Sequence, residues 1–146
     1  MARFRYRMQN ILDIKGKLEE QAKITYGIAQ QKYMTEQEKL QEMVVRRTGY
    51  ERKLKKLMDG PMDLHEIQIT RQAAESMKIL VRRQMVEVHK KELELEAARK
   101  ALTEVMQERK MHEKLKEKAY EEFLAEQDHE ERLAVDQLVS YNYNSK

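Results

Sequence analysis

The sequence predicts an all-α fold: a long antiparallel two-helix coiled coil, a helical hairpin whose second helix overhangs the first. Three observations carry that prediction. Apolar residues make up 40% and charged residues 38% of the 146 positions, a balance typical of long solvated helices and too polar for a layered core. Four glycines and one proline leave material for very few turns. An apolar ladder at a strict spacing of seven, Ile67, Ala74, Val81, Val88, Leu95 and Leu102, implies a left-handed supercoil against another helix.

The first helix is expected over about residues 3–58. Its seam begins with Phe4, Met8, Ile11, Ile14 and Leu18 and continues through Ala22, Tyr26, Ala29, Tyr33, Leu40, Met43, Tyr50, Leu54 and Leu57. The steps from Leu18 to Ala22 to Tyr26 are both four, the mark of a stutter that locally relaxes a supercoil. The corner is expected over residues 59–62. Lys55 and Lys56 suit a last helical turn. Gly60 suits a left-handed position just past the helix end, and Pro61 forbids continuation. Asp63 is an N-cap with Glu66 completing a capping box, and Met62 and Ile67 have the spacing of a hydrophobic staple.

The second helix is expected over about residues 63–138, with a frayed tail at 139–146. Beside its ladder runs a mixed row of Met77, Gln84, Lys91, Ala98, Val105, His112 and Ala119. Folding at Gly60-Pro61 pairs residues whose numbers add to about 121. Leu57 then meets Leu64, Leu54 meets Ile67, Leu40 meets Val81 and Leu18 meets Leu102. Glu36, Arg47, Gln84 and Glu92 fall at or near inward positions, where polar residues weaken a coiled coil but fix its register. Glu19–Lys23, Glu51–Lys55, Glu87–Lys91 and Glu96–Lys100 are spaced as favourable i,i+4 pairs.

Little in the sequence points to catalysis. There is no cysteine, hence no disulfide or thiolate chemistry. His65, His89, His112 and His129 form no metal-binding motif, and His129-Glu130-Glu131 reads as a solvated acidic face. No phosphate-binding or nucleophile-elbow glycine motif occurs. The expectation is a non-enzyme with no catalytic, cofactor or metal residues. The formal charge is +3, unevenly spread. Arg3, Arg5 and Arg7 lead the chain; Arg46, Arg47, Arg52, Lys53, Lys55 and Lys56 crowd the corner; acids dominate from Glu117 to Glu131. A basic region that reads DNA forks from a parallel dimer, whereas this block lies at a hairpin corner, so no nucleic-acid partner is expected. No apolar run approaches a membrane span or a signal peptide, so a cytoplasmic protein is expected.

The opening run Phe4-Arg5-Tyr6-Arg7-Met8-Gln9-Asn10-Ile11-Leu12-Asp13-Ile14-Lys15 resembles the flagellar export protein family FliJ. Met8 stands where Leu is usual and Gly16 where an acid is common. Glu19, Ala22 and Ala29, then Glu108-Arg109-Lys110, Lys114-Leu115, Glu121-Glu122-Phe123 and Asp136, continue the likeness. The resemblance implies a stalk-like coiled coil of the flagellar type III export apparatus, peripheral to the cytoplasmic face of the cell membrane. It implies an open end, with Phe4, Tyr6, Arg7, Ile11 and Leu12, that enters the ring of the export ATPase FliI. It also implies a corner half, with Tyr50, Ala73, Met77, Leu80 and Gln84, that faces the export gate protein FlhA. Binding of export chaperones stays open. The alternatives are a central-stalk subunit of a rotary ATPase and an unrelated coiled-coil scaffold or secretion chaperone.

Overall fold

The computed structural model describes residues 2–144. Two helices account for most of them: α1, Gln9–Met58, and α2, Leu64–Asn144. They pack against each other as an all-α helical hairpin. The chain divides into two compact units, each pairing a stretch of α1 with a stretch of α2. Unit 1 is Met1–Gln21 with Thr103–Lys146, and unit 2 is Ala22–Leu102.

The corner in unit 2 is built by local chemistry. The last turn of α1 tightens as the Asp59 amide donates to the Lys56 carbonyl at 3.2 Å. Pro61 follows and biases Gly60 toward extended backbone. No described residue, glycine included, has a positive φ, so the expected left-handed glycine is not used. Asp63 caps α2: its Oδ1 accepts from the amides of His65 at 3.1 Å and Glu66 at 3.3 Å. The Glu66 carboxylate pairs with Lys53 across the corner at 3.1 Å. Met62 is exposed while Ile67 is buried, so no staple closes over the cap. Leu64 is 75% exposed and does not serve as the expected partner of Leu57.

Within unit 2 the inward positions of α1 run Ala22, Tyr26, Ala29, Tyr33, Glu36, Leu40, Met43, Arg47, Leu54 and Leu57, all half-buried. Those of α2 include buried Ile67, Thr70, Met77, Val81 and Gln84. Thr70 is the most deeply buried of these, at 2% exposure; it stands seven before Met77 and so extends the mixed row. Lys53–Glu66 and Glu36–Gln84 fall within two of the expected register total.

Unit 1 departs from expectation in three ways. Helix α1 starts at Gln9 rather than near Arg3. Its first turn carries no acid, and three arginines at a helix N-terminus oppose the macrodipole. Residues 2–6 instead form an arm without helical structure, closed onto the helix by a turn in which the Gln9 amide donates to the Tyr6 carbonyl at 3.2 Å. The inward positions of α1 here are Leu12, Lys15 and Glu19. These continue the alternation of three and four without a stutter, and Met8, Ile11, Ile14 and Leu18 are exposed. Finally, α2 remains helical to Asn144. Nothing beyond Pro61 in the sequence is a glycine or proline that would stop it. Ser145 and Lys146 of the expected tail lie outside the described residues. From Asp128 to Asn144 every side chain of α2 is exposed, which is the overhang.

Candidate functional site

In unit 1 the N-terminal arm is anchored by one aromatic side chain. Phe4 packs edge-on to Tyr120, with ring centroids 5.1 Å apart at 67°, and tilted against Phe123 at 5.4 Å and 49°. Such geometries favour the ring quadrupoles and add to the burial of apolar area. Phe4 and Tyr6 are half-buried, Arg3, Arg5 and Arg7 exposed. A shallow groove runs between the arm and Glu122, Phe123 and Glu126. Of the residues expected at this end, Phe4, Tyr6 and Leu12 are partly covered, whereas Arg7 and Ile11 face solvent.

Below the arm the seam is ionic. Glu19, only 5% exposed, accepts from the Arg109 guanidinium through Nε and through Nη2, the latter at 3.4 Å. Arg109 Nη1 also holds Glu113 at 2.8 Å. Lys15 Nζ donates to Glu108 Oε2 at 2.7 Å. That hydrogen bond and the lysine's charge hold the Glu108 carboxyl below its ordinary value. The hydrogen bonds to Glu19 and Glu113 raise Arg109 above its ordinary value. His112 sits in the same seam, with Nδ1 buried and without a hydrogen-bond partner among the described residues.

In unit 2 a polar clamp sits in a mainly apolar seam that also takes in Arg47 and Thr70. Gln84 Nε2 donates to the Glu36 carbonyl at 2.9 Å and to Glu36 Oε2 at 2.6 Å. The Gln84 hydrogen bond is the main cause that lowers the Glu36 carboxyl. Of the residues expected on the corner half, Met77 and Gln84 are buried in this seam and Ala73 is half-buried. Tyr50 and Leu80 are exposed. Arg46, Arg52, Lys55 and Lys56 are exposed and make no ion pair among the described residues. For three of the expected i,i+4 pairs the acid takes another partner: Glu51 pairs with Arg47, four before it, at 3.0 Å, and Glu87 with Lys90 at 3.3 Å and Glu96 with Arg99 Nε at 3.0 Å, each three after.

Among the described residues no group of three or more His, Cys, Asp or Glu is placed to hold a metal ion. No helix is long and apolar enough to cross a membrane. The Glu19–Arg109 clamp is hidden in the sequence because Glu19, four before Lys23, reads as half of a surface pair; the signal for it is that Glu19 also lies seven before Tyr26 on the seam.

Fold and surface together define an all-α helical hairpin, with a charged N-terminal arm in unit 1 and a capped basic corner in unit 2. The chain belongs to the flagellar FliJ protein family, whose model matches residues 4–146. No curated protein sequence matches it. Among solved structures it is similar to CT670 of Chlamydia trachomatis, described as a YscO homolog. That likeness has 22% identity over 99% of both chains and a TM-score of 0.54, and it speaks to the fold. The family is one of non-enzymatic structural or chaperone-like proteins, and membership makes this chain a component of the type III protein export apparatus. It favours that reading over a rotary-ATPase subunit or an unrelated scaffold.

Proposed function

We propose that the chain is a stalk that couples the export ATPase FliI to the export gate protein FlhA at the cytoplasmic face of the flagellar base, and so assists flagellum assembly. The observation that carries this reading is the chemical difference between two partner-accessible regions of a family member. Unit 1 offers the arginine arm, exposed Ile11 and the bare overhang of α2. Unit 2 offers exposed Tyr50 and Leu80, and the exposed cations Arg46, Arg52, Lys55 and Lys56, which make no ion pair among the described residues.

In this reading the open end, with Phe4, Tyr6, Arg7, Ile11 and Leu12, enters the ATPase ring. Phe4 sets the arm on α2 so that Arg7 and Ile11 meet the ring. The corner half meets the gate protein through Tyr50 and Leu80. Ala73, Met77 and Gln84 act behind them, by holding α2 in phase. An asymmetric stalk inside a ring makes equivalent subunits inequivalent, which is how it would promote assembly and transmit turnover. The stalk hydrolyses nothing itself. Mixing the chain with the export ATPase tests the reading: ring assembly or ATP turnover should rise on addition. No change in either would contradict it.

A further inference from the structure

In unit 1 the apolar and inward residues of α1 are out of step by one position. Leu12, Lys15 and Glu19 face inward, while Ile11, Ile14 and Leu18, each immediately preceding one of them, are exposed. Met8 extends the outer row and is also exposed. The outer row has its own helical spacing of three, three and four, and two steps of four from Leu18 bring it into phase with Ala22 and Tyr26. One helix therefore carries two usable seams that merge at Ala22. One is ionic, the other hydrocarbon.

The two seams differ in what they leave unsatisfied. The observed one buries a carboxylate, a group that is costly to desolvate and is held by its Arg109 partner. It also leaves His112 Nδ1 buried without a hydrogen-bond partner among the described residues, and it exposes four large apolar side chains. The other seam would cover those side chains and release the charges to water, at the cost of the two-step phase change along the helix. A phase change of this kind is a stutter, which coiled coils accommodate by local unwinding.

We propose that unit 1 is a two-state zipper: α1 turns by one residue position, about 100°, so that Met8, Ile11, Ile14 and Leu18 replace Leu12, Lys15 and Glu19 against α2. The Glu19–Arg109 pair is the latch that holds the observed state. This device stands apart from the choice of partner, because it lies in the packing of the chain on itself. Turning α1 withdraws the apolar row from solvent and exposes the charges, so any partner that binds one row selects one state.

The absence of native cysteine allows a direct test in the full chain. Single cysteines replace Leu12 (inward) or Leu18 (outward), and maleimide labelling rates are compared. In the parent, Leu18→Cys labels faster than Leu12→Cys. Adding Arg109→Gln opens the latch, and the order should reverse. Adding Ile14→Gln as well removes an apolar anchor of the second seam and should cancel the reversal. Arg109→Lys, which keeps the charge, should keep the parental order. An unchanged order with Arg109→Gln overturns the proposal. Acceleration at both positions also overturns it, because that is melting rather than rotation.

Discussion

In unit 2 the inward residues of α2 from Ile67 to Gln84 include Ile67, Thr70, Met77 and Val81, each buried. In unit 1 the equivalent heptad positions hold Arg109, His112 and Lys116, each half-buried, and the buried residue opposite is a glutamate. The same fold is thus closed mainly by hydrocarbon in one region and by a mixture of apolar contact and paired charge in the other. Hydrocarbon contact is insensitive to pH and stabilises in proportion to area. A charge pair depends on ionisation, geometry and screening. Closure of unit 2 is therefore expected to be steady, and closure of unit 1, the region with the arm and the overhang, to depend more on conditions.

The largest expected effect comes from cutting the hydrocarbon seam. Met77→Ala should cost about 2–3 kcal/mol, seen as a lower midpoint in urea denaturation and as lost amide protection within residues 22–102. If protection falls equally in unit 1, the two units unfold as one and the contrast between them fails. Gln84→Ala should cost about 1 kcal/mol, because it removes the donor to Glu36 from a site where little water enters. A cost near zero would mean that the clamp sets register without adding stability.

A smaller effect concerns pH. The carboxyls of Glu108 and Glu36 lie below their ordinary value of 4.5. A carboxyl lowered by folding binds protons more readily in the unfolded chain, so its contribution is complete above 4.5 and is lost as pH falls through the lowered value. Acidification below 4.5 should therefore lower Tm. Glu108→Gln should flatten that dependence in unit 1 and Glu36→Gln in unit 2, read by local hydrogen exchange. The smallest effect is at the corner: Leu64→Ala, at a side chain 75% exposed, should stay within about 0.5 kcal/mol of the parent.

The fold was legible because its signals are local or periodic. Gly60, Pro61 and Asp63 place the corner, and the seven-residue ladder names the inward face of α2. What the sequence hid was the phase of α1 in unit 1. Apolar residues at Ile11, Ile14 and Leu18 predict an inward row, but Arg109 on α2 draws Glu19 inward, a pairing that the apolar row does not show. The helix start was hidden for a related reason: Phe4 is held by Tyr120 and Phe123, more than a hundred positions away. At the candidate site, Ile11 and Leu80, both named by the resemblance, have exposed side chains, although the apolar spacing alone places Ile11 inward. Met77 and Gln84 carry two expectations, a place on the mixed row beside the ladder from their spacing and a place on the gate-facing stripe from the resemblance, and both side chains are buried.

The functional contrast between the units is tested most directly by binding to two partners with one pair of variants. Phe4→Ala with Ile11→Gln disturbs unit 1, and Tyr50→Ala with Leu80→Gln disturbs unit 2. Affinity of each purified variant is measured for the export ATPase and, separately, for the cytoplasmic domain of the gate protein. The account predicts a crossed result: the first variant loses the ATPase and keeps the gate, and the second does the reverse. Parallel loss in both variants, or no loss in either, would contradict it.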